Sequence, residues 1–357
     1  MVKPITVISI GSVMPQHGGK TQGGVATIHS TITSLFNNSS KFDVEVIGSI
    51  ATNSDLNSDP INRIPYFKPK NGERRHETLE RIIDEFRPDI LFIHHISHSW
   101  ASSLSKINKL PICIGYVHSW NPVDPNHDSR YQIRMNHLVQ AIDFFDHLIF
   151  NSPHSYQRGI SMGFEYPNNT HIMTPPVSEP FSNADLPYTS DSTKKIVFIG
   201  SLNENKNVQK LIDSIEQLPT DYKLTIIGDG NLEIQQSSKI THHAELSHIE
   251  IINILKGSSV LCVPSKYESF GLVYTEALCC GVPVIGFQPS INYISELMAI
   301  SCGIGLLNPN IEEITKSIKY LTSQNIDRNT LQLRAKEIFT LQNYAKNLST
   351  FLHQITL

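Results

Sequence analysis

At 357 residues, with 39% hydrophobic and 17% charged residues and a formal net charge of −4, the chain reads as a globular protein too long for a single core. The slightly acidic balance excludes nucleic acid as the main partner, because a phosphate backbone demands a basic stripe. No apolar run approaches the ~20 residues that span a bilayer, and five cysteines in apolar contexts without a C-x-x-C pair argue for a reducing cytoplasm rather than disulfides or zinc.

Residues 5–10 read as a first β-strand, since their apolar stretch is too short for a secretory signal. A helix over 24–36 and a strand over 43–47 follow. Residues 52–72 are polar without periodicity and read as an irregular insert. The helix over 73–86 is closed by Arg87-Pro88, because a residue before proline leaves the helical region. Residues 89–94 and 111–117 are buried strands, 130–144 is an amphipathic helix, and strands follow at 147–150 and 171–173. The stretch 176–193 is rich in Pro, Ser and Asp and has no helical stripe; the linker is set at 178–193.

The pattern then restarts, with a strand over 195–199 ended by Gly200 and a helix over 207–218. Strands at 224–227, ended by Gly228-Asp229-Gly230, and at 261–264 come next. Helices are predicted over 311–321, 328–339 and 341–355, while His242 and His243 read as loop surface. Strands alternating with helices at this spacing mean βαβ units and parallel sheets. The fold class is therefore α/β, with doubly wound Rossmann-like domains over 1–177 and 194–340, and a C-terminal helix, 341–357, packing back on the first. Facing domains of this kind hold their ligand in the interdomain cleft, at the carboxyl ends of the strands.

The most informative chemistry lies between Glu268 and Ile285. Two carboxylates, Glu268 and Glu276, stand eight positions apart around a Ser269-Phe270-Gly271 turn where a loop gives way to a helix. Gly281 sits where a left-handed residue ends that helix, Pro283 prevents its continuation, and Val282, Val284 and Ile285 read as a buried strand. The helix start offers the backbone N–H groups of Phe270, Gly271 and Leu272 and a positive dipole end, which suit a phosphate. Carboxylates on either side of the phosphate would hold sugar hydroxyls, so the unit suits a sugar joined to a diphosphate.

This element, with Ala277-Leu278, Gly281 and Pro283-Val284-Ile285 behind it, closely resembles the E-x7-E element of retaining glycosyltransferases of family four, which have the GT-B fold. The resemblance extends over most of the chain. Gly23-Gly24 resembles the N-domain glycine loop, and His118 closes a strand as the N-domain histidine does. The run from Phe198 through Gly200 to Lys206 resembles the element that opens the C-domain. Three departures stand out: Ser201 replaces an arginine on the diphosphate, Asn207 replaces a glycine, and Gln288-Pro289-Ser290 replaces a Gly-Gly turn.

The resemblance implies transfer from a nucleotide-diphosphate sugar, most plausibly a UDP-sugar, to a glycan or lipid-linked acceptor in polysaccharide assembly. It implies front-face retention, with no cofactor besides the nucleotide sugar and no metal, and the chain has no Asp-x-Asp sequence. Lys206 would neutralise the leaving diphosphate, together with Gly23, Gly24, Gly200, Ser201 and the amides of Phe270, Gly271 and Leu272. Glu268 would bind hydroxyls of the transferred sugar, Glu276 the ribose, and His118 the sugar from the N-domain.

Other readings weigh less. A catalytically silent GT-B-like partner or glycan-binding protein is the alternative, motivated by Ser201. A nicotinamide oxidoreductase lacks its G-x-G-x-x-G, since Glu233 occupies the third position after Gly228 and Gly230. Gly18-Gly19-Lys20-Thr21 imitates a phosphate-binding loop whose first glycine would fall at Met14. His94, His95 and His98 have a metal-like spacing, but adjacent strand residues face opposite ways. Lys68, Lys70, Arg74 and Arg75 form a basic cluster: a solvated face, or contact with the inner membrane surface or a lipid-linked phosphate.

Overall fold

The computed structural model describes residues 3–11, 24–36, 42–51, 66–67, 69–70, 72–94, 96, 98–118, 139, 141–166, 169–184 and 193–357. The chain divides into two compact units, residues 1–175 with 341–357, and residues 176–340.

The first unit holds strands β1 (Ile5–Gly11), β2 (Val44–Ala51), β3 (Tyr66–Phe67), β4 (Ile90–Ile93), β5 (Ile112–Val117), β6 (His147–Phe150) and β7 (Thr170–Ile172). Their order is β3-β2-β1-β4-β5-β6-β7, with every pairing parallel. The strands are near-continuous apolar runs, as sheets covered on both faces require; all four residues of β4 are buried. The helix Arg75–Phe86 ends on Arg87 in the left-handed region (φ 46°), directly before Pro88. Within the predicted insert 52–72 the structure shows only the two-residue strand β3, the rest lying mostly outside the described residues, as does most of the helix predicted over 130–144.

The second unit holds β8 (Lys194–Ile199), β9 (Tyr222–Ile227), β10 (Ile240–His243), β11 (Val260–Val263), β12 (Val284–Phe287) and β13 (Gly303–Leu306), ordered β10-β9-β8-β11-β12-β13 and again parallel. The stretch set apart as a linker contributes its first part to this core: Val177, Phe181 and Ala184 are buried there, Phe181 on the short helix Glu179–Ser182. The sequence reading also lacked β10, β13 and the helices His248–Lys256 and Gln288–Met298. Among the described residues no helix is long and apolar enough to cross a membrane.

The C-terminal helix Leu341–Thr356 belongs to the first unit and buries Tyr344, Ala345, Leu348, Phe351 and Leu352. Phe351 packs on His147 and His171, and the Ser349 hydroxyl donates to the Phe42 carbonyl at 2.9 Å. Replacing buried Leu348 with alanine should therefore cost about 2–5 kcal/mol of stability in urea unfolding. Lys346→Ala on the exposed face should change it by less than about 0.5 kcal/mol.

Candidate functional site

In the second unit the strand order reverses between β8 and β11. Connections leaving such a reversal go to opposite faces, and the carboxyl ends of the two strands are left open to a ligand. Two loops leave from this point, residues 200–207 and 264–271. Four links tie them together. The Asn205 side-chain amide donates to the Tyr267 carbonyl at 2.9 Å, and the Lys266 amide to the Asn205 carbonyl at 2.7 Å. Asn207 Nδ2 donates to the Pro264 carbonyl at 2.9 Å, and Lys206 Nζ meets Glu268 Oε1 at 2.5 Å. The Ser265 hydroxyl donates to the same Glu268 oxygen at 2.6 Å.

Local geometry explains several residue choices. The Lys206 stem lies over Gly200, whose missing Cβ would stand 3.6 Å from Lys206 Cε. Asn207 takes a left-handed conformation (φ 51°, ψ 33°), which asparagine tolerates better than most residues, so its replacement of glycine keeps the turn. A Cβ at Gly228 (φ 139°) would run into the Gly200 carbonyl, so the loop after β9 packs backbone to backbone on the loop after β8. His242, read from sequence as loop surface, lies with His243 on β10, where its Nε2–H donates to the Gly228 carbonyl at 2.9 Å.

The helix Leu272–Cys279 begins at Gly271, which is left-handed (φ 91°); a Cβ there would strike the Tyr274 ring. Tyr274 is fully buried. Its hydroxyl donates to the Val263 carbonyl at 2.9 Å and accepts from the Phe287 amide at 3.1 Å, joining the ends of β11 and β12. Phe270 turns its ring into the core against Phe339 and Tyr293, so only its backbone could serve a ligand. The first amides of the helix, Leu272 and Val273, have no intrahelical acceptor and carry the positive end of the dipole. Glu276 lies in the second turn, half-buried, with no hydrogen-bond or ion-pair partner among the described residues. Burial raises its carboxyl to about 7. Ser201 is exposed. Gln288, Pro289 and Ser290 form the first turn of a helix rather than a free turn.

The remaining site candidates lie in the first unit. His118 follows β5, 5% exposed, with its ring 4.1 Å from that of Tyr116 and its carbonyl held by Asn151 Nδ2 at 2.9 Å. Gly24 opens the helix Gly24–Leu35; Gly23, Lys20, Lys68, His95 and the side chain of His98 lie outside the described residues. His94 is fully buried and pairs with His118, Nδ1 to Nε2, at 3.2 Å. Within the basic cluster, Arg74 is engaged by Glu77, and Arg75 lies over the Trp100 ring. Sequence reasoning missed Asn205, Ser265, Tyr274 and the His94–His118 pair. Only the Gly271–Tyr274 spacing and the His94-His95 doublet left any trace of them.

Two family models divide most of the chain between them. Glycosyltransferase Family 4 matches residues 24–178, and Glycosyl transferases group 1 matches residues 188–338. Each of its two domains thus matches a glycosyltransferase family model. An uncharacterized glycosyltransferase of Methanocaldococcus jannaschii is 30% identical over 168 residues, 43% of this chain and 46% of that relative, so the match spans under half of the relative's own length. Sucrose-phosphate synthase from Thermosynechococcus elongatus superposes with a TM-score of 0.74 at 14% identity, over 98% of this chain and 99% of that one. Anabaena HepE, solved with UDP-glucose, gives 0.71 at 15% identity over 98% and 100%. The fold of this chain is thus GT-B, with two Rossmann-like units.

Two outcomes follow from this geometry. Tyr274→Phe strands the Phe287 amide in the core, while the Val263 carbonyl keeps the Ser265 N–H, and should cost about 1–3 kcal/mol in urea unfolding. The raised Glu276 carboxyl gives a pH signature. Below its ordinary 4.5 it is protonated in both folded and unfolded chains. Between 4.5 and about 7 only the unfolded chain releases the proton, so stability falls as pH rises through that window and levels off above it. Unfolding midpoints for Glu276→Gln should lack this fall, worth at most about 3 kcal/mol.

Proposed function

We propose that the chain transfers a sugar from a nucleotide-diphosphate sugar, specifically a UDP-sugar, to a hydroxyl of a glycan or lipid-linked acceptor in the cytoplasm, with retention of anomeric configuration and without a metal ion. One observation carries this reading: at the β8–β11 reversal a lysine cation, Lys206, is held beside the amino end of the helix Leu272–Cys279. Both are sources of positive charge fixed before any ligand arrives, which is what a leaving diphosphate requires. The HepE structure was solved with UDP-glucose, which supports the choice of nucleotide.

In this reading the bond from the sugar C1 to the β-phosphate oxygen breaks while the acceptor oxygen bonds C1 on the same face. The acceptor's proton passes to the departing β-phosphate, and the products are the glycoside and the nucleoside diphosphate. Lys206 and the amides of Gly271 and Leu272 take up the charge that develops on the phosphate. Glu268 is held by Ser265 and Lys206 where it orients sugar hydroxyls and keeps the lysine stem in place. Glu276 accepts from the ribose hydroxyls. His118 donates to the sugar, and Gly23 and Gly24 add backbone donors from the first unit. Ser201 leaves one side-chain cation fewer on the diphosphate, which weakens donor binding.

A panel of UDP-, GDP- and ADP-sugars tests the proposal. A UDP-sugar should be consumed with its anomeric configuration kept in the product, and EDTA should leave the rate unchanged. Lys206→Ala should lower kcat/KM by about 10²–10³-fold, and Ser201→Arg should tighten UDP binding by about tenfold. Consumption of none of these sugars, with UDP binding indifferent to Lys206→Ala and Glu276→Ala, would defeat it. UDP binding without turnover would instead favour the silent-partner reading that Ser201 motivates.

A further inference from the structure

His118 follows β5 and Tyr116 stands two residues before it, so both side chains leave the same face of the first sheet. β4 lies beside β5 in parallel register, Ile93 opposite Gly115, which puts Phe92 and His94 on that face as well. Phe92, His94, Tyr116 and His118 are all buried there, at 1%, 0%, 0% and 5% exposure. His118 is held at three points. Its carbonyl accepts from Asn151 Nδ2 at 2.9 Å, its Nε2 meets His94 Nδ1 at 3.2 Å, and its ring lies on the Tyr116 ring. The two ring centroids are 4.1 Å apart and their planes differ by 27°.

These contacts constrain different motions. The Asn151 amide fixes the backbone and leaves the side-chain torsions open, and the second torsion of an imidazole has a broad, roughly two-fold profile. The bond to His94, whichever nitrogen carries its proton, holds one atom of the ring and lets the rest tilt about that atom. Only a surface lying against the ring face stops the tilt. Tyr116 offers a fixed surface because it is tied from elsewhere. Its hydroxyl donates to the Met173 carbonyl at 3.4 Å, and Phe92 packs edge-on against its ring at 6.1 Å. Tyr344 of the C-terminal helix, 3% exposed, stands against the same hydroxyl. Burial holds the Tyr116 phenol well above its ordinary pKa, so it stays a neutral donor.

We propose that Tyr116 is a positioning residue for His118: its anchored ring face stops the imidazole from tilting about the His94 contact and so fixes how His118 meets a substrate oxygen. The substrate contact in that statement rests on the proposed transferase reading; the clamped ring does not.

Ring carbon–proton NMR of the full chain with ¹³C-labelled histidine, the His118 signals being those lost in His118→Gln, reads the clamp directly. The wild-type should give one sharp set of His118 signals with relaxation as rigid as that of buried His94. Tyr116→Leu removes the ring face and should broaden or double those signals. It should also lower kcat by about 10–100-fold while UDP binding stays unchanged. Tyr116→Phe keeps the face and should restore the single set and most of the rate. A mobile His118 ring in the wild-type overturns the proposal even if Tyr116→Leu fails to fold. So does a folded Tyr116→Leu with a single sharp set or with an unchanged kcat, and so does Tyr116→Phe as damaging as Tyr116→Leu. A rigid wild-type ring, loosened in Tyr116→Leu and restored in Tyr116→Phe, in a chain that consumes no nucleotide sugar supports the clamp and defeats only the transferase reading.

Discussion

The Lys206–Glu268 pair joins two loops that would otherwise have no reason to share a geometry, one after β8 and one after β11, on either side of the point where strand order reverses. Both side chains are largely shielded, at 17% and 14% exposure. An ion pair in such a setting adds little net stability, because desolvation offsets most of the attraction. Its value is positional. The carboxylate fixes where the ammonium stands, the Ser265 hydroxyl fixes the carboxylate, and the Asn205 and Asn207 amides clamp the loops that carry them.

Around this tie the backbone is packed too tightly for ordinary residues. Gly200, Gly228 and Gly230 let the loops after β8 and β9 approach at van der Waals limits, and Gly271 admits the Tyr274 ring beneath the helix start. Tyr274 then ties β11 to β12 through one hydroxyl that both donates and accepts. The amino end of the helix is therefore anchored to β11, one of the two strand ends whose loops the lysine joins. Charge placed this rigidly needs no reorganisation when a leaving group develops negative charge, which is the physical content of electrostatic preorganisation.

Much of this was legible in the chain, for particular reasons. Gly271, Gly281 and Pro283 mark a helix start, a helix stop and a strand entry by backbone chemistry alone, and the structure shows left-handed glycines at both turns (φ 91° and 71°). Other elements were hidden. β10 is a polar edge strand, Ile-Thr-His-His, and β13 is half glycine; neither has the apolar run of a central strand. The helix Gln288–Met298 carries Pro289, which reads as a break but is tolerated in a first turn. The helix His248–Lys256 opens on a capping box of Ser247 and Glu250, but its isoleucines suit a strand equally well. Asn207 looked like a departure and proved a substitute, since the turn asks for a left-handed residue rather than for glycine itself. The His94–His118 pairing depends on β4 and β5 lying side by side, which sequence spacing cannot show.

The central claim is that a nucleoside diphosphate is gripped by the Lys206 loop and the Gly271 helix start of the second unit. Amide hydrogen exchange of the whole chain with and without UDP measures this most directly. The account predicts slowed exchange concentrated in residues 200–207 and 264–276, diminished in Lys206→Ala. UDP-dependent protection confined to other segments, or none at saturating UDP, would contradict it.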